Sequence, residues 1–311
     1  VISIIIPLYN KAEYIRATVD SVLGQTVTDW ELLVIDNGST DGSPDIVRTL
    51  DDPRIRLVSS PKRGANAARN YGRAQAAGDW LVFLDADDLL DADYLRAQLA
   101  RSAEADLVIC PYIEFRDGHP NEGHLRRAWP KAPCRQALLD SAIVYGAGPP
   151  HAYLVRREFL RPDLLWPEHL DQYMGEDTAF WFRVISEARV AYDDRPVALY
   201  RAGTQMGRFA AFSNPTDLFT GMHAILGENL RYLAGLGRAP TAGQAENLMR
   251  FYGSVYIQAR DQQNRPIAAE ALREARHWQD RYFQLCKHPS RSMWIRRWLG
   301  LPLFARLARH A

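Results

Sequence analysis

A mostly parallel α/β sheet with helices on both faces, followed by an all-helical region, is the fold this sequence predicts. Three observations carry it. Short apolar, β-branched runs alternate with amphipathic helical patterns through the first hundred residues, as expected of βαβ units. Those runs are apolar throughout rather than alternating, as in strands buried on both faces. After about Asn214 only helical periodicity remains. With 311 residues, 47 % apolar and 24 % charged, the chain can bury a full core, and disorder is excluded as its main state.

In order along the chain, residues 2–6 form the first strand. Asn10 then stands at an expected N-cap, with Glu13 three residues on, a capping-box-like start. Ile15, Thr18, Val19, Val22 and Leu23 follow at helical spacing. Residues 31–36 (ELLVID) are a second strand. Ser43 and Pro44 open a second helix as N-cap and first-turn proline. Residues 55–58 make a short third strand, 64–77 an alanine-rich helix and 80–84 (WLVFL) a fourth strand. Asp91 caps the next helix, and 106–115 contains a fifth strand. Residues 116–150 read as a long irregular segment with one short helix near 136–144. Gly175-Glu176-Asp177 opens a helix, and 197–200 is the last strand. Helices are expected over 216–235, 241–263, 266–285 and 291–310, which divides the chain at 1–212 and 213–311.

Charge and cysteine content narrow the function. Lys plus Arg (38) nearly cancels Asp plus Glu (37), for a net charge of +1, which argues against a dedicated nucleic-acid binder. Cys110, Cys134 and Cys286 lie far apart with no CxxC, so a disulfide framework and a cysteine zinc site are unfavoured and a reducing, cytoplasmic compartment fits. Nothing reaches the ~18 apolar residues of a membrane span. Residues 281–311 hold seven Lys or Arg and no Asp or Glu, with Met293, Trp294, Trp298, Leu301, Phe304 and Leu307 interleaved. Two readings suit this tail: a cationic helix in the interface of an anionic membrane, or a terminal helix pair docked on the body with solvated arginines.

In open α/β sheets ligands bind beyond the carboxyl ends of the strands. That rule points to Pro7-Leu8-Tyr9-Asn10, Asp36-Asn37-Gly38-Ser39 and Asp85-Ala86-Asp87-Asp88. In an extended chain residues i and i+2 face the same way, so Asp85 and Asp87 are expected to converge. Oxygen-only ligands favour Mg²⁺ or Mn²⁺, which complete their shell with water and substrate phosphates. An acidic helix-capping turn is the other reading. Asp36 suits either a nucleoside contact or the turn chemistry of DNGSTDG. Arg69 suits a phosphate contact or a plain surface position. Asp177, in the first turn of a helix whose dipole favours its ionised form, suits a general base or an N-terminal cap. There is no GxGxxG after the first strand, no GxxxxGK[ST], no HExxH and no GxSxG. Dinucleotide oxidoreductases, P-loop NTPases, zincins and α/β-hydrolases are therefore disfavoured.

Taken in order, SIIIPLYNKAEYIRATVDSVLGQT, ELLVIDNGSTDGS, GANAARNYGRAQAAGDWLVFLDADD and GED resemble the family 2 glycosyltransferases of the GT-A fold. The resemblance is dense over about 2–115 and looser to about 201. It implies an inverting, hexosyltransferase-type enzyme using a nucleotide sugar, most often a UDP-sugar, with Mn²⁺ or Mg²⁺. By the same resemblance Pro7 and Tyr9 line the nucleoside pocket and Asp36 reads the base. Arg69 lies on the nucleotide side, Asp87 is the direct metal ligand and Asp85 is nearer the ribose. Asp177 is the catalytic base, with Glu176 beside it. Many relatives carry a YRxH-type segment after the last strand. Here it runs Tyr200-Arg201-Ala202-Gly203-Thr204-Gln205 without histidine, leaving Arg201 or Arg208 as the candidate diphosphate contact. The expected acceptor is a glycan or lipid-linked saccharide of a bacterial-type surface polysaccharide, reached at the inner face of the membrane. Trp129, His151, Trp166 and Tyr173 suit either sugar contact or packing. Two other functions fit the same pieces: a nucleotidyltransferase acting on a sugar phosphate, and a non-catalytic sugar-nucleotide-binding subunit.

Overall fold

The structure, a computed structural model, describes residues 1–126, 134–146, 148–203 and 214–299. Its elements run β1 (Ile2–Leu8), α1 (Ile15–Leu23), β2 (Trp30–Asp36), α2 (Ser43–Arg48), β3 (Ile55–Ser59), α3 (Ala65–Gln75), β4 (Trp80–Phe83), β5 (Leu89–Leu90) and α4 (Tyr94–Leu99). They continue with β6 (Leu107–Ile109), β7 (Tyr112–Arg116), β8 (His119–Arg126), α5 (Arg135–Tyr145), β9 (Tyr153–Arg156), α6 (Asp177–Glu187), β10 (Val190–Tyr192) and β11 (Ala198–Ala202). Four helices follow: α7 (Pro215–Gly235), α8 (Ala242–Asp261), α9 (Arg265–Leu285) and α10 (Arg291–Leu299).

The main sheet has the order β10-β6-β9-β4-β1-β2-β3. Its pairs are parallel except at β9, which runs antiparallel between β4 and β6. Leu8 lies opposite Asp36, and Asp36 opposite Ser59, so β1, β2 and β3 end at one level. That level is the carboxyl edge the ligand rule selects. A smaller sheet, β5-β11-β7-β8, starts immediately after the acidic turn. The predicted α/β sheet with a helical carboxyl-terminal region is therefore present.

Several local expectations are corrected. Asn10 is not an N-cap: α1 begins only at Ile15, behind Tyr14 and without a side-chain cap. Asn10 adopts φ 49° instead, and its Oδ1 accepts from the Thr40 amide at 2.8 Å. Ser43 is the first helical residue, preceded by Gly42 in the left-handed region, and its hydroxyl accepts from the Lys11 amide at 2.9 Å. Both side chains tie the β1 loop to the β2 loop rather than capping helices. At α4 the cap position is held by Asp93, not Asp91. The expected fifth strand is two strands, β6 and β7, in different sheets, broken at Cys110-Pro111; proline has no N–H for the ladder. The long irregular segment also contains β8, while its expected helix near 136–144 is present as α5.

Close packing of α3 on the sheet depends on Gly72. A Cβ there would lie 2.5 Å from Ile5 Cγ2 and 3.0 Å from Ile35 Cγ1. Gly72→Ala is expected to destabilise by about 1–3 kcal/mol, the usual cost of overpacking a close-packed core. A lower denaturation midpoint with an unchanged slope would show it.

The carboxyl-terminal helices cover α5 and α6. Asn229 on α7 donates to the Ile143 carbonyl at 2.9 Å, and Gln244 on α8 to that of Leu139 at 3.3 Å. Local signals start these helices: Asn214 and Asn264 cap α7 and α9, and Thr241 with Gln244 forms a capping box for α8. Buried residues from Ile2 to Met293 belong to one hydrophobic cluster. Among the described residues, no helix is long and apolar enough to cross a membrane. At α10, Met293 is buried, while Trp294 is 53 % exposed and its ring lies 4.8 Å from that of Phe283. Residues 300–311 lie outside the described residues.

Candidate active site

Three strand ends and one helix start build the site. Apolar β4 delivers Leu84 to the sheet edge, and the chain turns there, the Asp88 amide donating to the Asp85 carbonyl at 3.1 Å. Asp85 and Asp87 therefore lie in a turn, not on an extended strand. Strand alternation therefore does not bring them together, although both stay at the carboxyl edge. Each faces a cation: Arg69 Nη2 donates to Asp85 at 2.9 Å, and Lys11 Nζ to Asp87 at 2.6 Å. Asp85 is 25 % exposed and Asp87 only 4 % by side chain. Asp88 is buried, and its carboxyl is held well above the usual range by burial and then by Asp87 and Asp85.

The small sheet braces this turn. Arg201 on β11 donates its amide to Asp88 at 2.6 Å and its Nε to the Asp87 carbonyl at 2.7 Å. The guanidinium pairs with Asp117 and lies over the Tyr14 and Phe115 rings. Arg201 is thus a buried strut beneath the acidic turn, not an open diphosphate contact. Arg208 lies outside the described residues. His151 is fully buried with Nδ1 3.5 Å from Asp88, and burial pushes its imidazole down to about 4.

Arg69 joins the acidic turn to α6. Its side chain is 4 % exposed. One arm reaches Asp85; the other donates to Asn66 at 3.1 Å and to Glu176 at 3.4 Å. The guanidinium lies 4.5 Å from the centre of the Trp166 ring. Burial opposes its charge, but Asp85, Glu176 and Asp177 outweigh burial and hold it protonated. The surface alternative for Arg69 is thereby excluded. α3 reaches this position because Gly64, at φ +118°, starts it tightly beneath Asp171; a Cβ there would sit 1.9 Å from the Asp171 carboxylate.

At α6, buried Glu176 takes the cap position and half-buried Asp177 opens the helix. Burial, and then the Glu176 charge, push the Asp177 carboxyl up to about 7 against the pull of Arg69. A carboxyl titrating there suits a general base near neutral pH. On the far side of the edge, Asp36 accepts from the Ser39 amide at 3.0 Å, so its turn role is real. Pro7 is half-buried and Tyr9 is 51 % exposed on the same rim.

The proposed sugar contacts fare differently. Trp166 is buried and stacks on Phe180 with ring centres 4.0 Å apart. Trp166 and His151 therefore belong to the core. Tyr173 is half-buried at α7 beside Gly221, and Trp129 lies outside the described residues. The sequence offered no signal for the Lys11–Asp87, Arg201–Asp88 and His151–Asp88 pairs, which join residues from 63 to 113 positions apart.

Among the described residues no group of three or more His, Cys, Asp or Glu side chains forms a metal cage. The acidic turn nevertheless fits a divalent cation. It offers oxygen donors only, and Asp87 and Asp85 already strain against Asp88. A cation held by one or two carboxylates takes its remaining ligands from water and phosphate oxygens.

The sequence profile of Glycosyl transferase family 2 matches residues 3–162, just over half of the chain, and spans Asp36, Arg69 and the acidic turn. The chain belongs to this family. Among relatives, EpsH of Bacillus subtilis, a glycosyltransferase by inference, is 32 % identical over 211 residues, 64 % of this chain and 60 % of EpsH. Chondroitin synthase of Pasteurella multocida is 34 % identical over 148 residues, 46 % of this chain and 15 % of the synthase. The chain thus spans about three-fifths of EpsH and a small part of the synthase. Among solved structures, Staphylococcus aureus TarS 1–349 in complex with UDP-GlcNAc superposes with a TM-score of 0.61 at 19 % identity, covering 91 % of each chain. The mannosyltransferase PcManGT of Pyrobaculum calidifontis, in complex with GDP-Man and Mn²⁺, gives 0.55 at 19 % identity over 89 % of this chain and 75 % of its own. These likenesses establish the GT-A fold.

Proposed function

We propose that this chain is an inverting glycosyltransferase moving a sugar from a nucleotide-sugar donor, a UDP-sugar, to a hydroxyl of a glycan or lipid-linked saccharide in bacterial-type surface polysaccharide synthesis. One observation carries the reading. Arg69 bonds both Asp85 on the acidic turn and Glu176 at the head of α6, which sets a donor-side carboxylate and a base-bearing helix start in one network. TarS with UDP-GlcNAc and PcManGT with GDP-Man and Mn²⁺ support a nucleotide-sugar donor on this fold.

In this reading Pro7, Tyr9 and Asp36 hold the nucleoside, Asp85 lies toward the ribose, and Asp87, with help from Asp85, holds Mn²⁺ or Mg²⁺. The cation, when bound, would neutralise charge gathering on the departing diphosphate. Asp177 takes the proton of the acceptor hydroxyl as its oxygen attacks the anomeric carbon. The bond from that carbon to the diphosphate oxygen breaks with its electron pair on the diphosphate, and attack from the opposite side inverts the centre. One base suffices, and no enzyme nucleophile is required.

The cationic tail 291–311 would place the chain peripherally on the cytoplasmic leaflet, where lipid-linked acceptors lie. Exposed Trp294 supports this reading. Deletion of 291–311 is expected to release the protein from anionic vesicles, and unchanged vesicle binding would refute the membrane role.

Calorimetry with UDP, GDP and dTDP, with and without Mn²⁺, tests the donor site. Metal-dependent binding of UDP is expected, and Asp87→Ala should reduce it at least tenfold, the scale of a lost metal ligand or its support. Equal binding by the folded variant, or no binding of any diphosphate by the wild type, would overturn the assignment.

A further inference from the structure

Lys11 has no part in the transfer as described, yet its ammonium meets the acidic turn at 2.6 Å. It lies on the loop after β1, at the same edge as Asp36 and Asp85. Its own amide donates to Ser43, and the next amide to Asp41 at 2.8 Å, so the loop is pinned to the β2 loop. The side chain remains 20 % exposed, whereas the carboxylate it meets is 4 % exposed. A Lys ammonium is a compact charge on a flexible four-carbon stem, with three donors it can redirect.

The electrostatics explain why Lys11 lies there. Asp85, Asp87 and Asp88 fall within four consecutive residues, and Asp87 and Asp88 are buried. Arg69 serves Asp85, and Lys11 Nζ meets Asp87 Oδ2 at 2.6 Å. A divalent cation would approach a carboxylate oxygen to about 2.0–2.6 Å. An ammonium at hydrogen-bond distance from that oxygen repels a cation so placed.

We propose that Lys11 is an internal counter-ion that competes with the divalent cation for Asp87 and, once displaced, turns its ammonium to the donor diphosphate. This rests on reading the edge as the donor site. It makes metal and nucleotide mutually dependent. Metal alone must displace Lys11 with no anion to receive it; nucleotide with metal supplies that anion. Coupling of this kind is reciprocal between the two ligands.

The test is Mn²⁺ binding to nucleotide-free protein, followed by calorimetry and by the electron spin resonance of free Mn²⁺, on wild type, Lys11→Met, Lys11→Arg and Asp87→Asn. Lys11→Met is expected to bind Mn²⁺ about five- to tenfold more tightly, within the usual range of coupling between sites. Lys11→Arg should stay as weak as wild type, and Asp87→Asn should bind more weakly than either. Mn²⁺ should also raise the unfolding midpoint of Lys11→Met more than that of wild type, because ligands of the native state stabilise it by mass action. In the presence of Mn²⁺, UDP should bind Lys11→Met several-fold less tightly than wild type. If Asp87→Asn weakens Mn²⁺ binding while Lys11→Met leaves it unchanged, the counter-ion role fails and the donor site stands. Tightening in Lys11→Arg equal to that in Lys11→Met would overturn the role of charge. If none of the three variants alters Mn²⁺ binding, the donor-site reading falls and the counter-ion role falls with it.

Discussion

Asp177→Asn is expected to lower kcat by about 10²–10⁴-fold, the usual contribution of a positioned general base, while nucleotide binding in calorimetry stays close to wild type. The amide keeps the shape of the side chain at the start of α6 and cannot accept the proton. Because the Asp177 carboxyl is pushed up to about 7 by burial and Glu176, kcat/KM should rise with pH through an acid limb near neutrality: the base acts only when ionised, and protons are lost as pH rises. Glu176→Gln removes the neighbouring negative charge and should move that limb to lower pH. Arg69, Asp85 and Asp88 surround the same region, and Tyr200 lies within its field. The limb must therefore be compared between variants in the same ionic medium. Activity of Asp177→Asn within threefold of wild type would remove Asp177 from the role of base.

Arg69→Met should be the most destabilising single change in the site. The substitution withdraws the buried cation that both Asp85 and Glu176 face. Breaking a buried ion pair from one side typically costs about 3–5 kcal/mol, because a charge is left in a poorly solvating environment. Arg69→Lys should recover little, since one ammonium cannot span Asn66, Asp85 and Glu176 as the guanidinium fork does. Adding Glu176→Gln to Arg69→Met should restore part of the loss by removing one of the stranded charges. Denaturant unfolding of wild type, Arg69→Met, Glu176→Gln and the double variant, with Arg69→Lys alongside, checks this, and additive losses would show that the pair is not coupled.

The expected helices over 216–235, 241–263 and 266–285 match α7, α8 and α9 to within one or two residues at each end. Their signals are local: Asn214, Thr241 and Asn264 act as caps, and apolar residues recur at helical spacing between them. Failures cluster where long-range pairing overrides local signals. β9 is only four residues long, yet it sits antiparallel inside the main sheet, paired on both sides. β8 reads HPNEGHLR, with no apolar alternation; its place follows from pairing with β7. Asn10 and Ser43 looked like caps because a cap needs only a short polar side chain before a helix. Their partners are distant amides, Thr40 for one and Lys11 for the other.

Residue types and their order determined the sheet edge, the acidic turn, the start of α6 and membership of the glycosyltransferase family. Strand hydrophobicity and turn chemistry act over a few residues, and the motifs lie within such spans. Only the tertiary structure decided how the charges are shared. It buried Arg69 between Asp85 and Glu176, set Lys11 on Asp87, made Arg201 a strut beneath the turn and withdrew Trp166 and His151 into the core. Desolvation and ion pairing depend on which atoms meet in space, and chain separations of 76, 107 and 113 residues hide the Lys11–Asp87, Arg69–Glu176 and Arg201–Asp88 meetings from any local reading.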